Sequence, residues 1–269
     1  MHEHTAILLD QRRFERWAAF TLGSAQLAAV QAGQLIALRC ASVGSYDPLL
    51  RQPLFVAAAD RQVATCTLLV PDTDPAHWFL NSQPRGAALD ILGPLGHGWK
   101  LGASVRTLAL LGTTAQAPAL FGLAHDAVGR GLAVSVVLGA RDKDSDDSTD
   151  AGTSAPPPFL LPAAAEYNIT HGPDPAAAAL ALLDEQLLRW ADLLALALPS
   201  ADLPQAAQRV RSVRLQWPRE FAQAALLDPA DARLVCCVGV CGVCGIEAKQ
   251  GRRLVCSAGP VFDLRDLVR

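Results

Sequence analysis

The sequence has no surplus of charge of either sign. It carries 23 basic against 26 acidic residues, a net charge of −3, and charged residues make up only 18% of its 269 positions. No basic stripe breaks this balance, which sets nucleic acid aside as a partner. Long apolar runs are also missing. The most apolar stretch of the C-terminal half, Leu193 to Leu198, is far shorter than the roughly 20 residues of a bilayer-spanning helix. Met1 to Arg13 lack the apolar centre of a signal peptide, which leads to the expectation of a cytoplasmic protein. There is no nucleophile elbow, P-loop or paired acidic motif, so no substrate-converting site is visible.

What is present is apolar: 51% of the residues are hydrophobic, enough for a packed core over two modest domains or one domain with a tail. The first hundred residues read as short strands between turns. Leu35 to Cys40 and Ala64 to Val70 are strand-like, and Gly93-Pro94-Leu95-Gly96-His97-Gly98-Trp99 is a turn-rich loop. An antiparallel β-barrel over residues 1–103 is the natural expectation.

From about residue 105 the pattern changes. A buried strand at Thr107–Leu111, a helix over Pro118–Val128 and a strand over Leu132–Leu138 form a βαβ unit, which implies a parallel sheet in an α/β region over 104–225. Asp142 to Pro158, rich in Asp, Ser, Thr, Gly and Pro, reads as a disordered surface loop. The Ala/Leu-rich segment from Asp174 to Leu198 has helical spacing.

Seven cysteines occur, and five fall between Cys236 and Cys256. In a reducing compartment such crowding points to metal rather than disulfides. With Cys236 first, the spacing is C-x4-C-x2-C-x11-C through Cys241, Cys244 and Cys256. The first three positions match the plant-type [2Fe–2S] pattern, whose fourth thiolate comes from further along the chain. Gly239, Gly242 and Gly245 lack a Cβ and let backbone N–H groups approach the inorganic sulfurs. A structural zinc site usually shows paired C-x2-C knuckles instead, and inert buried thiols rarely crowd so closely. Cys237 as first ligand would give an x3 spacing, so it is read as a bystander.

Three stretches of the sequence resemble the electron-transfer subunit of NAD-linked (class 1B) dihydroorotate dehydrogenase, within the ferredoxin reductase superfamily. They are Asp47-Pro48-Leu49-Leu50-Arg51-Gln52-Pro53, Asp90 to Trp99, and the cysteine tail from Arg233 to Phe262. The resemblance implies a flavin barrel, a nucleotide-binding-like α/β domain and a small C-terminal [2Fe–2S] module over 226–269. It places the ligands on Cys236, Cys241, Cys244 and Cys256, with Cys237 where Gly is usual. It also implies FAD in this chain and an FMN-containing catalytic subunit as partner in a hetero-oligomer serving pyrimidine biosynthesis.

The sequence departs from the family at its flavin and nucleotide positions. The Arg-Pro-x-Ser stretch, whose Arg pairs with the flavin pyrophosphate and whose Ser reaches the isoalloxazine edge, reads Gln52-Pro53-Leu54-Phe55. Arg51 is adjacent, but neighbours on a strand face opposite ways. The Leu-Tyr-Arg strand reads Leu68-Leu69-Val70. The Gly-rich turn reads Leu111-Gly112-Thr113-Thr114-Ala115-Gln116, and a Cys-Gly-x-x-x-Met-Leu segment is replaced near Leu196 to Leu203. What remains of a cofactor site is Arg51, Gln52, Pro53 and Gly112. FAD is therefore the family cofactor but doubtful here. The alternatives to an electron-transfer subunit are a cluster-only relay and a redox sensor. His97 is read as a turn residue, His77 and His171 as having no partner at ligand spacing, and Trp78, Trp99, Trp190 and Trp217 as core or interface anchors.

Overall fold

The structure, a computed structural model, describes residues 2–42, 44–142, 155–226 and 234–268. Most of the expected disordered loop, and Arg233, lie outside them.

The first half is a barrel. Strands β1 (His2–Phe14), β2 (Trp17–Gly23), β3 (Leu35–Leu38), β4 (Gln52–Asp60), β5 (Thr65–Pro71) and β6 (Ala88–Leu95) close in the order β1-β2-β5-β4-β3-β6. Each ladder is antiparallel. Closure leaves no edge to aggregate. The alternation along β6, with Leu89, Ile91 and Leu95 buried, is the period-2 pattern of a strand with one face inward. Two short helices, α1 (Ala25–Ala28) and α2 (Pro75–Ser82), pack on the barrel. The expected loop over Gly93–Trp99 begins three residues later than its first glycine, at Gly96, because Gly93 to Leu95 continue β6.

The second half is a sheet built on β7 (Thr107–Thr113), α3 (Pro118–Gly129) and β8 (Ala133–Arg141), close to the expected βαβ unit. It continues through β9 (Glu166–Gly172), α4 (Pro175–Ala181), α5 (Glu185–Trp190), β10 (Leu193–Ala197), α6 (Leu203–Val213) and β11 (Ala222–Ala225). The single helical segment expected over Asp174–Leu198 is instead two short helices and a strand. Asp184 caps α5 by accepting from Leu187 N at 2.8 Å. Leu193 to Ala197, buried throughout, pair parallel with β7 and β11. A strand covered on both faces is apolar at every position and mimics a buried helix.

The tail holds β12 (Gly245–Ala248), β13 (Gly251–Leu254), α7 (Val255–Ala258), β14 (Val261–Asp263) and α8 (Leu264–Leu267). β14 pairs antiparallel with β11, so the sheet order is β14-β11-β10-β7-β8-β9. The tail is therefore part of the sheet. Barrel and sheet share one apolar core that includes Phe55, Leu69, Trp99, Leu120 and Cys256. Trp99 Nε1 donates to Ala119 O at 2.9 Å. The buried Gln223 side chain holds both the N–H and the C=O of Lys100, at 2.9 and 2.8 Å. Trp99 and Trp217 are the anchors expected, but Trp78 is 70% and Trp190 38% exposed and neither belongs to the core. Among the described residues no helix is long and apolar enough to cross a membrane.

Candidate metal centre

The chain from Leu234 to Cys244 turns tightly, and the turns are set by residues with positive φ. Gly239 (φ 78°) and Gly242 (φ 73°) take conformations that a Cβ would strain. Cys237 (φ 58°) does so without being glycine. That backbone sends its side chain inward: its sulfur is buried and lies 3.9 Å from Leu234 O. Burial, then the neighbouring Cys236, push its thiol up to about 11, against a smaller opposing pull from the Arg51 guanidinium. The tail thus lies within electrostatic reach of the residue that precedes β4.

Cys236 is in the opposite situation. Its sulfur accepts the backbone N–H of Cys241 at 3.4 Å and of Val238 at 3.5 Å. Those donors bring its thiol down to about 6, and its side chain also meets that of Cys241. Backbone donors aimed at sulfur are what a buried thiolate–iron centre requires.

The eleven residues between Cys244 and Cys256 form a hairpin. β12 and β13 pair from Gly245↔Leu254 to Ala248↔Gly251, and Val255 N donates to Cys244 O at 2.9 Å. The chain therefore returns to its starting point, and Cys256 Sγ lies 3.3 Å from Cys244 Sγ. Two thiolates on one tetrahedral metal with bonds of about 2.3 Å stand roughly 3.8 Å apart. Burial and the contact with Cys244 push the Cys256 thiol up to about 12, while the Gly239 N–H pulls the other way. Gly245 has another purpose than approach to sulfur. A Cβ there would stand 2.3 Å from Arg252 Nε, and Arg252 crosses it to reach Gly242 O at 2.8 Å.

The sulfurs are thus sorted into two pairs, Cys236 with Cys241 and Cys244 with Cys256. Among the described residues no three ligating groups converge on one ion-sized point. A binuclear cluster takes two thiolates per iron. Cys40 and Cys66 are buried in the core of the barrel, and burial pushes their thiols up to about 12.

Residues 231–268 match the iron–sulfur cluster binding domain of dihydroorotate dehydrogenase B. Relatives span more. An electron transfer subunit of dihydroorotate dehydrogenase B (NAD(+)) from Geobacillus thermodenitrificans is 26% identical over 99% of this chain and 98% of its own length. The one from Bacillus caldolyticus is 28% identical over 88% and 87%. That of Geobacillus sp. WCH70 is 34% identical over 42% of this chain, an alignment spanning 44% of that protein. The chain is a diverged relative of these electron transfer subunits.

Solved structures place the fold in the same company. An NADH-dependent reduced ferredoxin–NADP oxidoreductase superimposes with a TM-score of 0.72 at 18% identity, over 97% of this chain and 88% of that one. Phthalate dioxygenase reductase gives 0.59 at 12%, over 94% of each. Within this ferredoxin reductase-like fold, the residues that the sequence offers as the remains of a cofactor site are Arg51, Gln52, Pro53 and Gly112. Gln52 and Pro53 open β4, and Pro53 pairs with Ala37 of β3. Arg51 is closed in an ion-pair network, its Nη1 on Asp90 Oδ1 at 2.8 Å and its Nη2 on Asp90 Oδ2 at 3.0 Å, with Glu3 also on Nη2. Gly112 is the last residue but one of β7, beside the point where the strand order reverses, the usual crevice for a nucleotide. Its missing Cβ makes room for Ala197 O, which would be 2.6 Å away, rather than for a phosphate. The turn that follows buries Thr113 and Thr114.

Sequence reasoning did not find Asp74. It caps α2, its Oδ1 accepting from Ala76 N at 2.8 Å, and its carboxyl group also meets the side chain of Gln52. The signal available was the Asp-Pro pair at a helix start. His97 joins the tail through its backbone, its N–H donating to Gly259 O at 2.5 Å.

Proposed function

We propose that this chain is the iron–sulfur electron-transfer subunit of a dihydroorotate dehydrogenase-type flavoenzyme complex. Its ligands would be Cys236, Cys241, Cys244 and Cys256, its setting the cytoplasm, and its partner an FMN-containing catalytic subunit. The carrying observation is the sorting of four sulfurs into two pairs on a loop whose backbone already donates to one of them. A bound [2Fe–2S] cluster supplies one-electron chemistry. The protein holds the sulfurs at fixed spacing, ionises Cys236 through two N–H donors, and buries Cys244 and Cys256 away from oxidants. Burial pushes the Cys256 thiol up to about 12, and bringing it to a thiolate requires the positive charge of the metal. The reading divides the chain into a barrel over 1–103, an α/β region over 104–225 and the cluster module over 226–269.

Metal analysis of anaerobically purified protein tests the assignment. About two irons and two inorganic sulfides per chain are expected, with a paramagnetic signal after dithionite. Zinc without sulfide, and silence after dithionite, would overturn it. Co-expression with an FMN-containing dihydroorotate-oxidising subunit should give a hetero-oligomer; a chain that elutes alone overturns the subunit reading.

A further inference from the structure

The resemblance implies a flavin dinucleotide whose diphosphate is held by the cation of the Arg-Pro-x-Ser stretch. In this chain that place is already occupied. Gln52 stands at the cation's position, and its side chain is hydrogen-bonded to the Asp74 carboxyl group. Asp74 in turn sits on the first turn of α2, accepting from Ala76 N at 2.8 Å. Pro75 beside it has no N–H to offer. Free N–H groups and the positive end of the helix dipole are what draw phosphate to such a place. Here a carboxyl oxygen of Asp74 takes the Ala76 N–H, and the Asp74 backbone carbonyl takes that of His77 at 2.9 Å.

The neighbouring alternatives are closed too. Arg51 is 19% exposed and engaged by Asp90 and Glu3, so a phosphate would have to displace two carboxylates. Leu68, Leu69 and Val70 of β5 are buried and apolar. Phe55, at the position that would reach the isoalloxazine, is 8% exposed and belongs to the core joining barrel and sheet.

We propose that the barrel's diphosphate seat is filled from within by Asp74, tied to Gln52 and to the start of α2, so that this subunit binds no flavin and carries electrons on its cluster alone. The inference rests on the cluster reading above. It fixes the class of reaction the subunit can join. The cluster gains and loses one electron and no hydride, so NAD cannot exchange electrons with this chain directly. A reduced flavin in the partner would pass its two electrons in two transfers and release its protons to solvent. Each electron would then leave to a one-electron carrier protein.

FAD titration of the cluster-loaded protein decides the matter, with iron content read in parallel. The wild type should hold iron and no stoichiometric FAD. Gln52→Arg alone should gain no affinity, because the new guanidinium pairs with Asp74. Gln52→Arg combined with Asp74→Gly, glycine being a tolerated helix cap, should tighten FAD binding by about tenfold or more, the worth of one charge-assisted contact to phosphate. One FAD per wild-type chain overturns the proposal. So does a Gln52→Arg protein that gains as much as the double variant, which would mean that only a cation was missing. If the double variant loses its fold, the Gln52→Arg result decides alone. Failure of the cluster reading is distinct: it appears as missing iron and sulfide in every variant.

Discussion

At the scale of single residues, two adjacent cysteines separate by backbone geometry. Cys236 faces N–H donors, while Cys237 turns inward at φ 58°. Cys241→Ser is therefore expected to abolish the visible bands of the cluster, and Cys237→Ser to keep them, as absorbance of anaerobic preparations will report. A Cys237→Ser protein without bands would reassign the first ligand. The sequence could offer four candidate sulfurs, because spacing is a property of the covalent chain. The contact between Gln52 and Asp74 was hidden, since their positions are distant in sequence and meet only when β4 and the start of α2 come together. Arg51 was legible as a cation but not as one already engaged, because Glu3 and Asp90 arrive from β1 and β6.

At the scale of elements, the barrel was legible in the short runs Leu35 to Cys40 and Ala64 to Val70 between turn residues, and the βαβ unit in two apolar runs about a helical stretch from Pro118. β10 was not. Its five residues, Leu and Ala only, favour a helix by propensity, and the parallel pairing with β7 and β11 overrides that preference. The start of β10 is fixed by Asp192. Its carboxylate accepts from Arg106 N at 2.8 Å and Thr107 N at 3.1 Å, and these bonds hold its pKa below the ordinary range. A lowered pKa gives stability that is present above the unfolded-state value near 4 and lost as pH falls through the folded one. The group is exposed, so Asp192→Asn should cost no more than about 1 kcal/mol at neutral pH. In melts between about pH 2 and 6 the difference from wild type should vanish at the acid end. Gly112→Ala, whose Cβ would stand 2.6 Å from Ala197 O, should cost about 1–3 kcal/mol in denaturant melts and leave the signal of the reduced cluster unchanged.

At the scale of the molecule, the tail and the barrel meet over bare backbone. Gly96 has φ 67°, and a Cβ there would lie 1.8 Å from Gly259 O. Gly96→Ala must push the barrel loop away from the segment just beyond Cys256. Faster amide exchange across residues 255–263 and quicker loss of iron to a chelator are expected; unchanged exchange would place this joint elsewhere. Removal of iron from the wild type should lower the melting temperature of the whole chain rather than of the tail alone, because ligand binding to the native form adds to its stability and the core runs through Cys256 without a break.

The strand that completes the sheet, β14, is made from residues downstream of the last sulfur, and β11 waits beside it with Gln223, Ala224 and Ala225 to be paired. An uncovered sheet edge invites other chains. Synthesis must therefore pass through every cysteine before this edge is sealed. A chain cut short after Cys256 would leave that edge bare and is expected to aggregate.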